Sequence, residues 1–324
     1  MTHAILTHGG AASPNAYSNG CVAAAQAARA VIEAGGDALA AALAATVLLE
    51  DDPRFNAGTG SNLRLDGRTI EMDASVMTSD GRFGGVANLQ RVKNPVLVAA
   101  RVRETPHLLI AGEGATAFAR RLGFPDFDPA TEAARRKYDR ALAELRGTGD
   151  GAFADDARVW RDIALDRVWN FGGDVFGAPA PRAADDPEGR DRPRPRVRLP
   201  EDEGCDTVGA VVRDASGRFA ATASTGGTLY MLRGRIGDSP LMGCGVYAGP
   251  RGAVAATGIG EEIVRRFLSK TVYDWLENGM TAEAAAARGV ALFPNEVDVG
   301  LLVIGENDHA IAANRDMASA SLAG

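Results

Sequence analysis

The order of elements along this chain predicts an α+β fold with antiparallel layering. Strand-like and helix-like segments cluster rather than alternate strictly, which disfavours a doubly wound parallel sheet. The chain has 324 residues, 46% of them hydrophobic and 24% charged. That composition is ordinary for a globular protein, and the length supports a sizeable core.

Each element has a local reason. Ala4 to Leu6 reads as a short buried strand running into His8-Gly9-Gly10-Ala11-Ala12. Asn19 to Ala34 is Ala-rich with helical periodicity, and Gly35-Gly36 ends it. Asp37 caps a second helix that runs to about Glu50. Asn62 to Val76 reads as a hairpin turning at Asp66-Gly67, and Gly84 to Val92 as another strand. Asn94-Pro95 opens a helix with Pro at its first position. His107 to Ala111 is a short strand, and Gly114 to Leu122 a further helix.

The stretch 147–203 differs in composition, and 177–203 is dense in Pro, Arg, Asp and Glu. Such a tract buries too little apolar surface to offset its ordering entropy. It reads either as an interdomain linker or as a mobile tail. Beyond it, Val208 to Arg213 alternates, Asp214 to Gly217 turns, and Phe219 to Ser224 returns antiparallel. Val254 to Ala256 is a strand and Glu261 to Glu277 one amphipathic helix. Val299 to Ile304 and Ala310 to Ala313 pair across Gly305 to Asp308. No internal repeat is seen.

Formal net charge is -7, which argues against a nucleic-acid surface. Cys21, Cys205 and Cys244 are odd in number and widely spaced, as expected in a reducing compartment. The first residues lack a basic segment followed by an apolar one, so no signal peptide is expected. No apolar run approaches the roughly 20 residues of a membrane helix. The expectation is a cytoplasmic enzyme.

Candidate chemistry gathers in the last third. Thr207 stands where the charged tract ends and a strand begins. Alone it reads as a β-branched residue opening a strand. If the bond after Asp206 breaks, however, Thr207 gains an α-amine with a pKa of about 7.7–8.0, a base beside its own hydroxyl. Thr225 ends the returning strand, so hairpin pairing brings its hydroxyl towards Thr207. Arg235 and Asp238 lie three apart, each preceded by glycine, in a tight loop. A guanidinium grips a carboxylate and a carboxylate grips an ammonium, so the pair suits an amino-acid end group. Thr257-Gly258 precedes a helix start, where a main-chain N–H and a hydroxyl can meet an oxyanion. Gly243 to Gly249 mimics a dinucleotide fingerprint but lacks the flanking strand and helix. His3, His8, His107 and His309 lack metal-ligand spacing.

Together these segments resemble the plant-type asparaginases, also called isoaspartyl peptidases, of the N-terminal-nucleophile hydrolases. Thr7 to Ala11, Leu49 to Gly60 and Glu71 to Ser75 also look like signatures of that family. The resemblance implies a four-layer αββα sandwich and a precursor that cuts itself before Thr207. Residues 1–206 would form an α chain, with 177–206 a flexible tail, and 207–324 a β chain. The two would make one structural domain, and two such pairs a homodimer. Thr207 would be the nucleophile, assisted by Thr225. Arg235 and Asp238 would hold the aspartyl end of a small substrate or dipeptide, with Thr257 and Gly258 at the oxyanion. Asn56 would lie near the nucleophile and tune the site. No catalytic cofactor is implied. Main-chain carbonyls of Leu49, Glu50, Asp52, Phe55, Ala57 and Thr59 would bind a structural Na⁺. The asparaginases usually carry Gly before the nucleophile, whereas Asp206 stands here, as in the related glycosylasparaginases. The implied activity is hydrolysis of β-aspartyl dipeptides and L-asparagine, the alternative being cleavage of a sugar–asparagine amide.

Overall fold

The computed structural model describes residues 3–153, 157, 158, 160, 170 and 207–324. The tract 177–206, with Cys205 and Asp206, lies outside them. In chain order the elements are β1 (Ala4–His8), α1 (Ser18–Glu33), α2 (Ala38–Asp51), β2 (Met72–Thr78), β3 (Phe83–Leu89), α3 (Pro95–Val102), β4 (Leu109–Ala111), α4 (Gly112–Arg121) and α5 (Glu132–Leu145). After the undescribed stretch come β5 (Val208–Arg213), β6 (Phe219–Thr225), β7 (Val246–Gly249), β8 (Gly252–Gly258), α6 (Gly260–Arg266), α7 (Leu268–Glu277), α8 (Ala282–Val290), β9 (Val299–Gly305), β10 (His309–Ala313) and β11 (Ser319–Ala323).

The strands form two sheets, one ordered β11-β1-β5-β6-β2-β3-β4 and one ordered β10-β9-β8-β7. All pairings are antiparallel except β3 with β4. The chain is thus α+β, as its element order predicts.

Strand parity decides what each face meets. Along β5, Val208, Ala210 and Val212 pack with Ala24, Ala28, Ala41 and Ala45 of α1 and α2. Val211, between them, packs with Val246, Ala253, Ala255 and Leu302 of the smaller sheet. Along β9, Leu302 and Ile304 face the larger sheet, while Leu301 and Val303 meet α7 and α8. A strand covered on both faces reads as a continuous apolar run, which is why β1 and β9 do. The helix-facing residues of α1 and α2 are mostly alanine, so these helices approach both the sheet and each other closely.

Most predicted elements stand, with small shifts at their ends. The Asp37 carboxylate caps α2 by accepting from Ala40 N at 2.8 Å, and Pro95 takes the first turn of α3. Two expectations are corrected. Asp66-Gly67 does turn, but the hairpin lies further on, with Met72–Thr78 paired to Phe83–Leu89. The Asp66 side chain closes its turn by accepting from Thr69 N at 2.8 Å, and Arg64 donates to main-chain carbonyls where a ladder would have formed. The single helix expected over Glu261 to Glu277 is two helices. Phe267 adopts φ 45° between them and breaks the run. Strands β7 and β11 and helices α5 and α8 were not anticipated, although Thr131 and Thr281 cap α5 and α8 by accepting from Ala134 N and Ala284 N.

Candidate active site

The larger sheet brings Thr207 and Thr225 together. Val208 lies opposite Ser224 in the β5–β6 ladder, so one step back along β5 and one step on along β6 are Thr207 and Thr225. Both are buried, at 2% and 3% exposure. On the other side of β5, His8 lies opposite Gly209. A methyl group on Gly209 would sit 2.6 Å from His8 Nε2, so only glycine lets the ring lie there. His8 Nδ1 accepts from Gly10 N at 3.1 Å, which leaves the ring proton on Nε2. Burial pushes its pKa down to about 3, opposed by the neighbouring main chain of Thr207.

The smaller sheet contributes Thr257 and Gly258 at the end of β8. Thr257 is 1% exposed and its Oγ1 accepts from Ala11 N at 3.1 Å. That contact joins β8 to the loop after β1. With its lone pair used there, the Thr257 proton remains available to donate. Thr225 is similar, since its Oγ1 accepts from Gly227 N at 3.0 Å. Gly258 has φ 133°, and a Cβ there would lie 2.2 Å from Asp298 O. The turn into α6 therefore requires glycine.

Arg235 and Asp238 come from the loop between β6 and β7 and close on the start of α6. A Cβ on Gly260 would lie 2.8 Å from Arg235 Nη2 and 3.0 Å from Asp238 Oδ1. Both side chains thus crowd the residue two beyond Gly258. Arg235 Nε and Nη2 donate to Glu261 at 3.0 and 2.9 Å. Asp238 is 3% exposed.

Asn56 spans two turns. Its Nδ2 donates to Gly227 O at 2.6 Å and its Oδ1 accepts from Asn62 N at 2.9 Å. Its carbonyl accepts from Gly226 N at 2.8 Å. It therefore holds the turn that follows Thr225.

The segment predicted for Na⁺ curls tightly after α2. Cβ atoms on Gly58 and Gly60 would lie 2.6–2.8 Å from the carbonyl oxygens of Glu50, Lys93, Pro53 and Phe55. Glu50 O and Lys93 O thus crowd Gly58, and Pro53 O and Phe55 O crowd Gly60; of these four, Glu50 and Phe55 belong to the carbonyl set expected for Na⁺. Glu50 O also accepts from Thr59 N and Asp52 O from Phe55 N. Among the described residues no group of His, Cys, Asp or Glu side chains is arranged for a metal.

Several residues at the site escaped sequence reading. Glu50 was expected to act through its carbonyl only. Its side chain is fully buried and accepts from Ser224 Oγ at 2.6 Å and Val96 N at 2.9 Å. Burial pushes its carboxyl up to about 8. Arg64, Glu71 and Asp73 are buried around the Arg235 loop. Glu71, just before β2, and Asp73, within it, belong to the Glu71–Ser75 signature, but nothing in the sequence assigns either a role at this loop. Arg64 lies beside a turn, and nothing in its type or position marks it as buried, although it is 1% exposed. Cys21 and Cys244 are buried, and neither forms a disulfide among the described residues. Among the described residues no helix is long and apolar enough to cross a membrane.

Known proteins resemble this chain over most of its length. The sequence profile of the asparaginase family matches residues 1–322. The plant-type L-asparaginase of Pyrococcus furiosus is 37% identical over 261 residues, 79% of this chain and 72% of that protein. The isoaspartyl peptidase/L-asparaginase of Homo sapiens is 32% identical over 323 residues, 96% of this chain and 90% of that protein. The isoaspartyl peptidase of Salmonella typhimurium is 36% identical over 265 residues, 81% of this chain and 72% of that protein. With its profile matched almost end to end and relatives at this level of identity, the chain belongs to the asparaginase family.

Proposed function

We propose that the chain is a self-cleaving N-terminal threonine hydrolase that releases L-aspartate from β-aspartyl dipeptides and L-asparagine. The observation that carries this is the β5–β6 register, with Val208 opposite Ser224, which sets Thr207, the residue just before β5, beside Thr225. The printed names of the relatives, L-asparaginase and isoaspartyl peptidase, support the substrate class.

Maturation begins with attack of the Thr207 hydroxyl on the Asp206 carbonyl. The peptide C–N bond breaks and an ester forms, and the nitrogen takes up a proton as the α-amine of Thr207. Water then cleaves the ester. Residues 1–206 leave as one chain with Asp206 at its end, and 207–324 form the second, the pair remaining one structural domain. In turnover the amine takes the proton of its own hydroxyl as that oxygen attacks the side-chain carbonyl of the substrate. The Gly258 N–H and Thr257 hydroxyl meet the developing oxyanion. Thr225 donates towards the nucleophile oxygen. The amine or ammonia departs with a proton, and water frees aspartate. Arg235 holds the α-carboxylate and Asp238 the α-ammonium, while Asn56 keeps the Gly226-Gly227 turn in place.

The whole reads as a four-layer αββα sandwich, supported by the face-by-face parity of β5 and β9. A homodimer of cleaved pairs and a cytoplasmic location complete the reading. The main-chain oxygens packed around Gly58 and Gly60 are compatible with a structural Na⁺, with a scaffolding role and none in the reaction.

Intact-mass analysis of purified protein tests the proposal. Two fragments meeting between Asp206 and Thr207 are expected. A chain still whole after long incubation, yet active, would sink it. Asp206 favours one rival, a sugar–asparagine amidase. Turnover of a β-aspartyl dipeptide, L-asparagine and a glycosylated asparagine on the same sample separates the two.

A further inference from the structure

A buried chain of hydrogen bonds joins the turn after Thr225 to the loop that carries Arg235. At its centre is Arg64, 1% exposed. Its guanidinium donates to Gly226 O at 2.9 Å, Asn62 O at 3.3 Å and Glu71 O at 2.5 Å. Its Nε faces Glu71 Oε2 at 3.5 Å. Glu71, 3% exposed, passes the link on, since Oε2 accepts from Gly234 N at 3.0 Å. Two residues later Asp73 repeats the device, accepting from Asn88 N at 2.8 Å and from Gly237 N at 3.4 Å. The Arg235 loop is thus held at both ends by buried carboxylates. The half-exposed Arg233 also faces Glu71, at 3.8 Å.

The placement is more specific than core stability requires. Gly226 follows Thr225 directly, and Gly234 directly precedes Arg235. A lone charge among these backbones would be costly, whereas a guanidinium that faces a carboxylate and donates to three main-chain carbonyls adds geometric restraint. Burial pushes the Arg64 guanidinium down from its usual value, and Glu71 opposes that.

The geometry points to Arg64 and Glu71 as a positioning pair for hydrolysis. They fix the separation between the Thr225 hydroxyl and the Arg235 guanidinium. A substrate gripped by its α-carboxylate then presents its β-carbonyl at the nucleophile. This rests on the roles proposed above for Thr225 and Arg235. Misplacement of such groups by a fraction of an ångström costs rate without any loss of chemistry.

The test reads discrimination rather than activity alone. The kcat/KM ratio between L-asparagine and its α-methyl ester reports the grip on the α-carboxylate. The double variant Arg64→Met, Glu71→Leu removes both charges and leaves none buried alone, so it is expected to fold and cleave. Its ratio is expected to fall about tenfold, the scale of one charged hydrogen bond, with both fragments present by mass. A purely structural role would lower both substrates equally. An unchanged ratio in the folded, cleaved double variant overturns the inference. Should that protein not fold, Glu71→Gln, which keeps the side-chain volume, is read the same way. A lower ratio supports the pairing and an unchanged one overturns it. Arg235→Ala in the same assay separates the two levels. If it leaves the ratio intact, the role given to Arg235 falls, and this inference with it.

Discussion

Arg235 and Glu261 meet side by side, with Nε 3.0 Å from Oε1 and Nη2 2.9 Å from Oε2. The proposed carboxylate-binding guanidinium is therefore already charge-balanced by the first turn of α6. A substrate carboxylate approaching it also meets Glu261, whose side chain is 47% exposed. Glu261→Gln keeps an acceptor for Arg235 and removes the like charge. The KM for L-asparagine is expected to fall about threefold at low salt, with the difference shrinking as salt is added. A rise in KM would mean that Glu261 orients Arg235 more than it repels substrate.

Thr207→Ala removes the hydroxyl that attacks Asp206. One uncut chain of 33.7 kDa is expected by mass spectrometry, without asparagine hydrolysis. Thr207→Ser keeps a hydroxyl, so it is expected to cut and to turn over. Cleavage of the alanine variant at the same bond would remove Thr207 from maturation.

Gly258→Ala places a methyl group 2.2 Å from Asp298 O at φ 133°. Backbone strain of this kind costs about 1–3 kcal/mol before the clash is counted. Urea unfolding should show a loss of at least that size. The turn into α6 should shift with it, lowering kcat as well.

His8 makes stability fall in acid. Its folded pKa is lowered by burial to about 3, against 6.5 when unfolded. Below 6.5 the unfolded chain binds a proton that the folded chain refuses. The contribution is therefore whole above pH 6.5 and is lost as pH falls towards 3, by up to about 1.4 kcal/mol per pH unit. His8→Gln should flatten that part of the curve. Parallel urea midpoints from pH 7 to pH 5 for the two proteins would refute the assignment.

The core strands and the caps were legible because their signals are local. An apolar run marks β1 and β9, Asp37 marks α2, and Pro95 marks α3. The hairpin at Asp66-Gly67 misled for the same reason. The turn chemistry was right, but tertiary contacts of Arg64 displaced the ladder to Met72. The break at Phe267 left no mark, because an amphipathic pattern continues through a one-residue kink.

The candidate site divides in the same way. By itself the sequence determined the α+β class and marked Thr207, Thr225, Arg235, Asp238, Thr257 and Gly258 as the candidate site residues. Residue type and order are enough for that. Only the tertiary structure decided which of them meet, and through what. The β5–β6 register sets Thr225 beside the start of β5. Glu261 balances Arg235. Arg64 and Glu71 lie beneath the two loops as a buried link. These contacts span up to 163 positions in sequence. No local propensity encodes such a pairing. It follows from the stacking of two sheets, which leaves buried charges no partners except one another and the main chain.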